Sequence, residues 1–193
     1  MKSICVFCGS SAGNGPEFMV AGRKLGETLA TRHLTVVYGG AAVGIMGAVA
    51  NGALEAGGQV IGVIPGFLSK KEILHQGLTE LITVNSMHQR KQKMAELSDG
   101  FIALPGGFGT LEEFCEILTW AQLGLVTGPV GLLNVNGYYN HLLALFDQMV
   151  SSELLKTQNR DLVLHDVTIS GLLEKMSNFE PKEVPKWIDA AKT

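Results

Sequence analysis

The sequence predicts an α/β domain built on a doubly wound parallel sheet with helices on both faces. Three observations carry that prediction. Short apolar runs of strand character recur between longer stretches with helical spacing. Three of the runs end in glycine-rich turns, at Gly9-Ser10, Gly39-Gly40 and Gly106-Gly107. Finally, 193 residues with 46% hydrophobic and 17% charged content supply one sizeable core and exclude disorder. Residues 1–180 read as a single domain, and 181–193, with Pro181 and Pro185 among alternating charges, as a loose tail.

The elements follow in order. Ser3 to Phe7 is a compact apolar run and the expected first strand. A loop from Gly9 to Gly15 leads to Pro16, which suits a first helical turn, and that helix runs to about Arg32. Leu34 to Tyr38 is the second strand, followed by a second glycine turn from Gly39 to Gly47 and another helix. Gln59 to Ile64 is the third strand, ended by Pro65. Residues 65–79 are irregular, with Gly66, Ser69 and Gly77 as breakers, and form a candidate flap over a site. Glu72 lies in that flap and reads, by composition alone, as a solvated surface carboxylate.

Leu81 to Val84 is the fourth strand, and Ser86 suits the N-cap of a helix over Met87 to Leu97. On that helix Arg90 and Lys91 fall on the same arc as Met87, Met94 and Leu97. Two cations on an inward face need carboxylate or phosphate partners, because an unpaired buried charge is costly. Gly100 to Leu104 is the next strand, and Phe114 to Leu123 has helical apolar spacing. Between them stands Pro105-Gly106-Gly107-Phe108-Gly109-Thr110-Leu111-Glu112-Glu113. Thr110 and Glu113 have the spacing of a capping box, and Glu113 falls beside the glycine turn. A strand over Val130 to Val135, a helix over Tyr138 to Val150, an edge strand over Leu162 to His165 and a helix over Thr168 to Met176 complete the domain.

In parallel sheets ligands bind beyond the carboxyl ends of the strands, where the three glycine turns fall. Glycine admits close approach of a ligand to the backbone, and a helix start offers unpaired N–H groups and partial positive charge to an anion. These turns favour a nucleotide or sugar-phosphate site. A Walker A loop, the G-x-G-x-x-G fingerprint, H-E-x-x-H and G-x-S-x-G are all absent. The net charge of −3 gives no reason to expect nucleic acid or an anionic membrane as partner. No apolar stretch approaches the ~18 residues of a membrane span, and the run after Lys2 is too short for a signal peptide, so a cytoplasmic protein is expected. Cys5 and Cys8 form a C-x-x-C, but no second Cys/His pair completes a metal site, and Cys115 stands apart. Neither metal nor cofactor is expected. Trp120, Leu123, Leu125 and Val126 extend an apolar stretch beyond one helix and suggest a homodimer.

Two stretches together resemble the LOG ("lonely guy") family. Pro105 to Glu113 matches its P-G-G-x-G-T-x-x-E motif, and Met87-His88-Gln89-Arg90-Lys91 matches its M-H-x-R-K. Cys8-Gly9-Ser10-Ser11 and Tyr38-Gly39-Gly40 also look like its turns, and the likeness runs from about Ser3 to Met176. The resemblance implies a Rossmann-like dimeric domain with sites near the interface. It implies hydrolysis of the N-glycosidic bond of an N6-modified AMP to free base and ribose 5-phosphate. By position, the catalytic pair is Arg90 and Glu113. The substrate-binding residues are Glu72, Arg90, Lys91, the run Gly107, Phe108, Gly109, Thr110, Leu111, Glu112 and Glu113, and Thr119. Gly9, Ser10, Gly39 and Gly40 frame the same edge. Many members carry the older label "lysine decarboxylase", yet nothing in this sequence suggests a pyridoxal phosphate site. A general AMP nucleosidase, a nucleotide sensor without turnover and a dinucleotide-dependent oxidoreductase are the competing classes, and a nucleoside monophosphate is the partner expected.

Overall fold

A computed structural model describes residues 1–68 and 74–181. Its elements are β1 (Ser3–Phe7), α1 (Pro16–Thr31), β2 (Thr35–Tyr38), α2 (Gly44–Glu55), β3 (Val60–Pro65), β4 (Glu80–Val84), α3 (Met87–Glu96), β5 (Gly100–Ala103), α4 (Phe108–Gln122), β6 (Val130–Leu133), α5 (Asn140–Ser151), α6 (Thr157–Arg160), β7 (Val163–Asp166) and α7 (Ile169–Ser177). The seven strands lie in the order β4-β3-β2-β1-β5-β6-β7, and every neighbouring pair is parallel. This is the Rossmann-like α/β architecture expected.

Parallel strands are usually covered on both faces, and here alternate residues of the inner strands feed two separate cores, while the edge strand β4 stays mostly exposed and lays only half-buried Ile82 and Val84 against one of them. Ile4 and Val6 of β1 pack with Leu25 and Leu29 of α1, Val49 of α2 and Leu172 of α7. Cys5 and Phe7 pack on the other face with Met94 of α3, Phe114 of α4 and Phe146 of α5. The two cysteines of the C-x-x-C therefore lie in different cores, Cys5 in one and Cys8 in the other. They cannot share a ligand, and burial pushes both thiols up in pKa, away from the thiolate a metal would need.

Winding starts at β1, proceeds outward to β4, then returns to lay β5 against the free side of β1. The chain reverses direction between β1 and β5, the switch point at which such sheets open a crevice. β2, β1 and β5 are adjacent, so all three glycine turns come to one end of the sheet centre. Leu74 and His75 of the 65–79 segment are tied there as well. Leu74 bridges to Ala41, and the His75 N–H donates to the Gly40 carbonyl at 3.1 Å. Residues 69–73, and with them Glu72, lie outside the described residues, as does the tail from 182 onward.

Candidate active site

The helix after β5 starts differently from the sequence expectation. α4 begins at Phe108, with Gly107 as its N-cap, and no side chain caps it. Thr110 therefore stands inside the first turn, and the capping box expected of Thr110 and Glu113 is not formed. Glycine at the cap explains both facts, since it supplies the turn but no acceptor for the N–H groups behind it. The first intrahelical bond runs from the Leu111 N–H to the Gly107 carbonyl. The N–H groups of Phe108, Gly109 and Thr110 consequently have no partner within the helix. A Cβ on Gly107 or Gly109 would meet nothing within 4 Å, so this turn borders open space. Gly106 is the opposite case: a Cβ there would collide with Thr110 Oγ1.

The turn after β2 does different work. The N-terminal N–H groups of α2 are already engaged, Ile45 by the Ser11 carbonyl at 3.4 Å and Met46 by the Gly9 carbonyl at 3.2 Å. This helix start holds the loop after β1 in place. A Cβ on Gly39 would overlap the Arg90 guanidinium and the Met46 methyl group, so Gly39 leaves the space that Arg90 occupies. Gly9 donates to the Pro105 carbonyl at 3.1 Å and joins the turns of β1 and β5 across the switch point. Ser10 is exposed beside them.

The two cations are placed by α3, whose N-cap Ser86 accepts from the Gln89 N–H as expected. Arg90, Lys91 and, across on α4, Glu113 are each only 9% exposed. Arg90 Nη1 lies 3.8 Å from Glu113 Oε1, a charge pair too long to be a hydrogen bond. Its Nε is buried without a hydrogen-bond partner among the described residues; Glu116 Oε2 is the other such buried atom. Lys91 Nζ instead bonds Glu112 Oε1 at 2.5 Å and Glu116 Oε1 at 3.0 Å. Burial drives the Glu113 carboxyl above the ordinary carboxylate range. Arg90 pulls it back, Glu112 pushes it up, and Lys91 and Glu116 add smaller opposed effects. For Lys91, burial alone would lower the pKa, but its bonds to Glu112 and Glu116 and their charges raise it overall.

The fold thus gathers Gly9, Ser10, Gly39, Gly40, Arg90 and the run Gly107 to Glu113 at one end of the sheet, beside the switch point between β1 and β5. Phe108 is 94% exposed there, and Leu111 is half-buried. Thr119 is not brought there within one chain. It is exposed, about 9 Å further along α4 than Glu113 at 1.5 Å per residue, and its hydroxyl donates to the Cys115 carbonyl. Sequence reasoning also passed over Tyr138. Its hydroxyl donates to the Gly106 carbonyl at 2.6 Å, and no sequence signal separates it from an ordinary packing aromatic.

A family model described as "Possible lysine decarboxylase" matches residues 46–176. The chain belongs to the LOG family. It is 47% identical over 180 residues to the cytokinin riboside 5′-monophosphate phosphoribohydrolase LOG5 of Arabidopsis thaliana, which covers 93% of this chain and 79% of that protein. Against the probable cytokinin riboside 5′-monophosphate phosphoribohydrolase LOGL1 of Oryza sativa subsp. japonica the identity is 48% over 176 residues, 91% of this chain and 79% of that one. Among solved structures, the Moco carrier protein of Chlamydomonas reinhardtii superposes with a TM-score of 0.69 at 24% identity, covering 91% of this chain and 94% of that chain. At that identity the likeness shows the fold alone. The decarboxylase description meets a chemical objection within this LOG-family site. A Schiff-base lysine needs a free amine and a depressed pKa, whereas Lys91 is bound by two carboxylates and raised.

Proposed function

We propose that the protein hydrolyses the N-glycosidic bond of adenosine 5′-monophosphate and its N6-modified forms, releasing free base and ribose 5-phosphate. The observation that carries this reading is the pairing of a buried Arg90–Glu113 couple with an uncapped helix start at one crevice. The curated LOG relatives, named as cytokinin riboside 5′-monophosphate phosphoribohydrolases, support it.

The chemistry follows from the parts. The open N–H groups at the α4 start receive the 5′-phosphate. Departure of the base leaves an oxocarbenium-like sugar, which the Glu113 carboxylate stabilises while it orients and deprotonates the attacking water. Arg90 offsets the burial that disfavours Glu113 ionisation and directs its remaining donors toward the phosphate or the departing base. Lys91 fixes Glu112 and Glu116 and so holds α3 against α4, leaving one of its three N–H donors for a ligand oxygen. Glu72 completes the proposed binding set, and Thr119, which one chain does not bring to the site, would join it only across the proposed dimer interface.

We also propose a homodimer, supported by half-buried Trp120, Leu123, Leu125 and Val126 at the end of α4. Light scattering at micromolar concentration is expected to give twice the chain mass. The reaction itself is tested with a panel of nucleoside monophosphates and an assay for ribose 5-phosphate. Release from AMP and N6-isopentenyl-AMP is expected; base loss without ribose 5-phosphate, or no release from any member, would refute the reading.

A further inference from the structure

Three successive carbonyls enter the glycine turn, and each has a donor. The Leu104 carbonyl accepts from the Tyr139 hydroxyl at 2.6 Å, the Pro105 carbonyl from the Gly9 N–H at 3.1 Å, and the Gly106 carbonyl from the Tyr138 hydroxyl at 2.6 Å. In a trans peptide the C=O and the following N–H point in opposite directions, and no cis peptide occurs among the described residues. Pinning a carbonyl therefore aims the N–H of the same peptide unit away from the pin. The Gly106 carbonyl shares its unit with the Gly107 N–H, so Tyr138 sets the direction of a donor at the mouth of the α4 start.

The two tyrosines differ in what they aim. The Leu104 carbonyl shares its peptide unit with the nitrogen of Pro105, which has no hydrogen. Tyr139, 1% exposed, thus satisfies a buried carbonyl and orients no donor. Tyr138 is half-exposed and held from two sides, edge-on against Phe18 of α1 at 5.9 Å and Tyr139 at 5.0 Å. Its side chain reaches the turn from the segment after β6, 32 residues along the chain. Glycine is where such a pin is most needed. Gly107 has no side chain to resist rotation of its peptide, and a Cβ there would meet nothing within 4 Å. Without the pin the 106–107 peptide can turn its carbonyl toward the anion and repel it.

We propose that Tyr138 is a positioning residue for substrate phosphate, acting through the Gly106–Gly107 peptide, whereas Tyr139 is structural. This rests on the reading of the α4 start as a phosphate cradle. Phosphate contacts are made equally in the ground and transition states, so their loss raises KM and spares kcat. Tyr138→Phe is expected to raise KM for AMP about five- to tenfold, with kcat within about twofold, the effect of one orienting hydrogen bond. Its affinity for ribose 5-phosphate, by calorimetric titration, falls by the same factor. Tyr139→Phe is expected to lower Tm by about 5 °C, as a buried carbonyl loses its donor, with KM and ribose 5-phosphate affinity unchanged. The titration needs no turnover, so the two readings fail separately. Absence of AMP hydrolysis by the unaltered protein counts against the proposed reaction. Equal ribose 5-phosphate affinity in the unaltered protein and Tyr138→Phe, or an equal KM rise in both variants, overturns the role given to Tyr138.

Discussion

Arg90 and Lys91 are neighbours on one helix, equally buried, and each faces carboxylates on α4, yet they are held in different ways. Lys91 makes two short bonds to Glu112 and Glu116. Arg90 stands 3.8 Å from Glu113, and its Nε has no partner among the described residues. Glu112, the partner of Lys91, is more than half exposed, whereas Glu113 is buried enough to shift its titration. Helix-to-helix attachment requires satisfied groups; catalysis requires groups with unspent capacity. The difference supports the proposal that Arg90 serves catalysis and Lys91 attachment, a line that the sequence, where both fall on the same inward arc, does not draw.

The strongest way to break the comparison is to remove the loosely held couple. Glu113→Gln and Arg90→Ala are each expected to fold and to lose about 10²–10⁴-fold in kcat, the usual cost of one positioned acid–base group. Circular dichroism together with single-turnover kinetics checks this; near-normal turnover in folded Glu113→Gln would remove the mechanism. Lys91→Met is expected to do less to activity and more to stability. A loss of about tenfold in kcat/KM corresponds to one contact of about 1.4 kcal/mol. Loss of charge-assisted bonds should lower Tm by roughly 5 °C. An activity loss as large as that of Arg90→Ala would erase the distinction.

A finer test uses pH. In the proposed mechanism Glu113 acts ionised, and its carboxyl lies above its ordinary value because of burial. The acid limb of kcat/KM is therefore expected above the usual glutamate range, with activity rising as pH rises through it. Lys91 pulls that value down, so Lys91→Met should move the limb to still higher pH; a limb that stays put means Glu113 does not produce it. The stability sign is fixed too. A carboxyl raised on folding contributes its full share below the unfolded pKa and loses it as pH rises through the folded value. The smallest effect is expected at the cysteines. Cys5→Ala and Cys8→Ala should retain activity, and chelators should change nothing, because the two thiols sit in different cores. Zinc-dependent recovery after chelation would contradict that.

Much of this was legible in the sequence for identifiable reasons. Strands buried on both faces read as continuous apolar runs, so β1 was found to the residue and β2, β3 and β5 to within one at either end; β4 is mostly exposed and was found as closely from its Leu-Ile-Thr-Val run. Ser86 announced its helix because a capping hydroxyl is a local device. The inward placement of Arg90 and Lys91 followed from helical period alone. Misreadings arose where a local signal had a competitor. Thr110 and Glu113 have capping-box spacing, but the glycine turn starts α4 at Phe108 instead. The short α6 and the split of residues 135–151 into a 3₁₀ turn and α5 left no periodic trace. The role of Gly39 as room for a guanidinium, and of Tyr138 as a pin on Gly106, depends on contacts between distant parts of the chain. No window of sequence contains them.

The central claim is that this crevice acts on a sugar that carries a phosphate. Comparing kcat/KM for AMP with that for adenosine tests it most directly. Without the phosphate, the open N–H groups at the α4 start and the Nε of Arg90 lack their partner. Sites with buried polar groups reject analogues lacking the partner by up to ~10⁴–10⁵-fold, and entry of water into an open pocket reduces this to on the order of 10²-fold. The account predicts at least that preference for AMP. Equal efficiency on the two substrates would mean that the glycine turn and Arg90 do something other than hold phosphate.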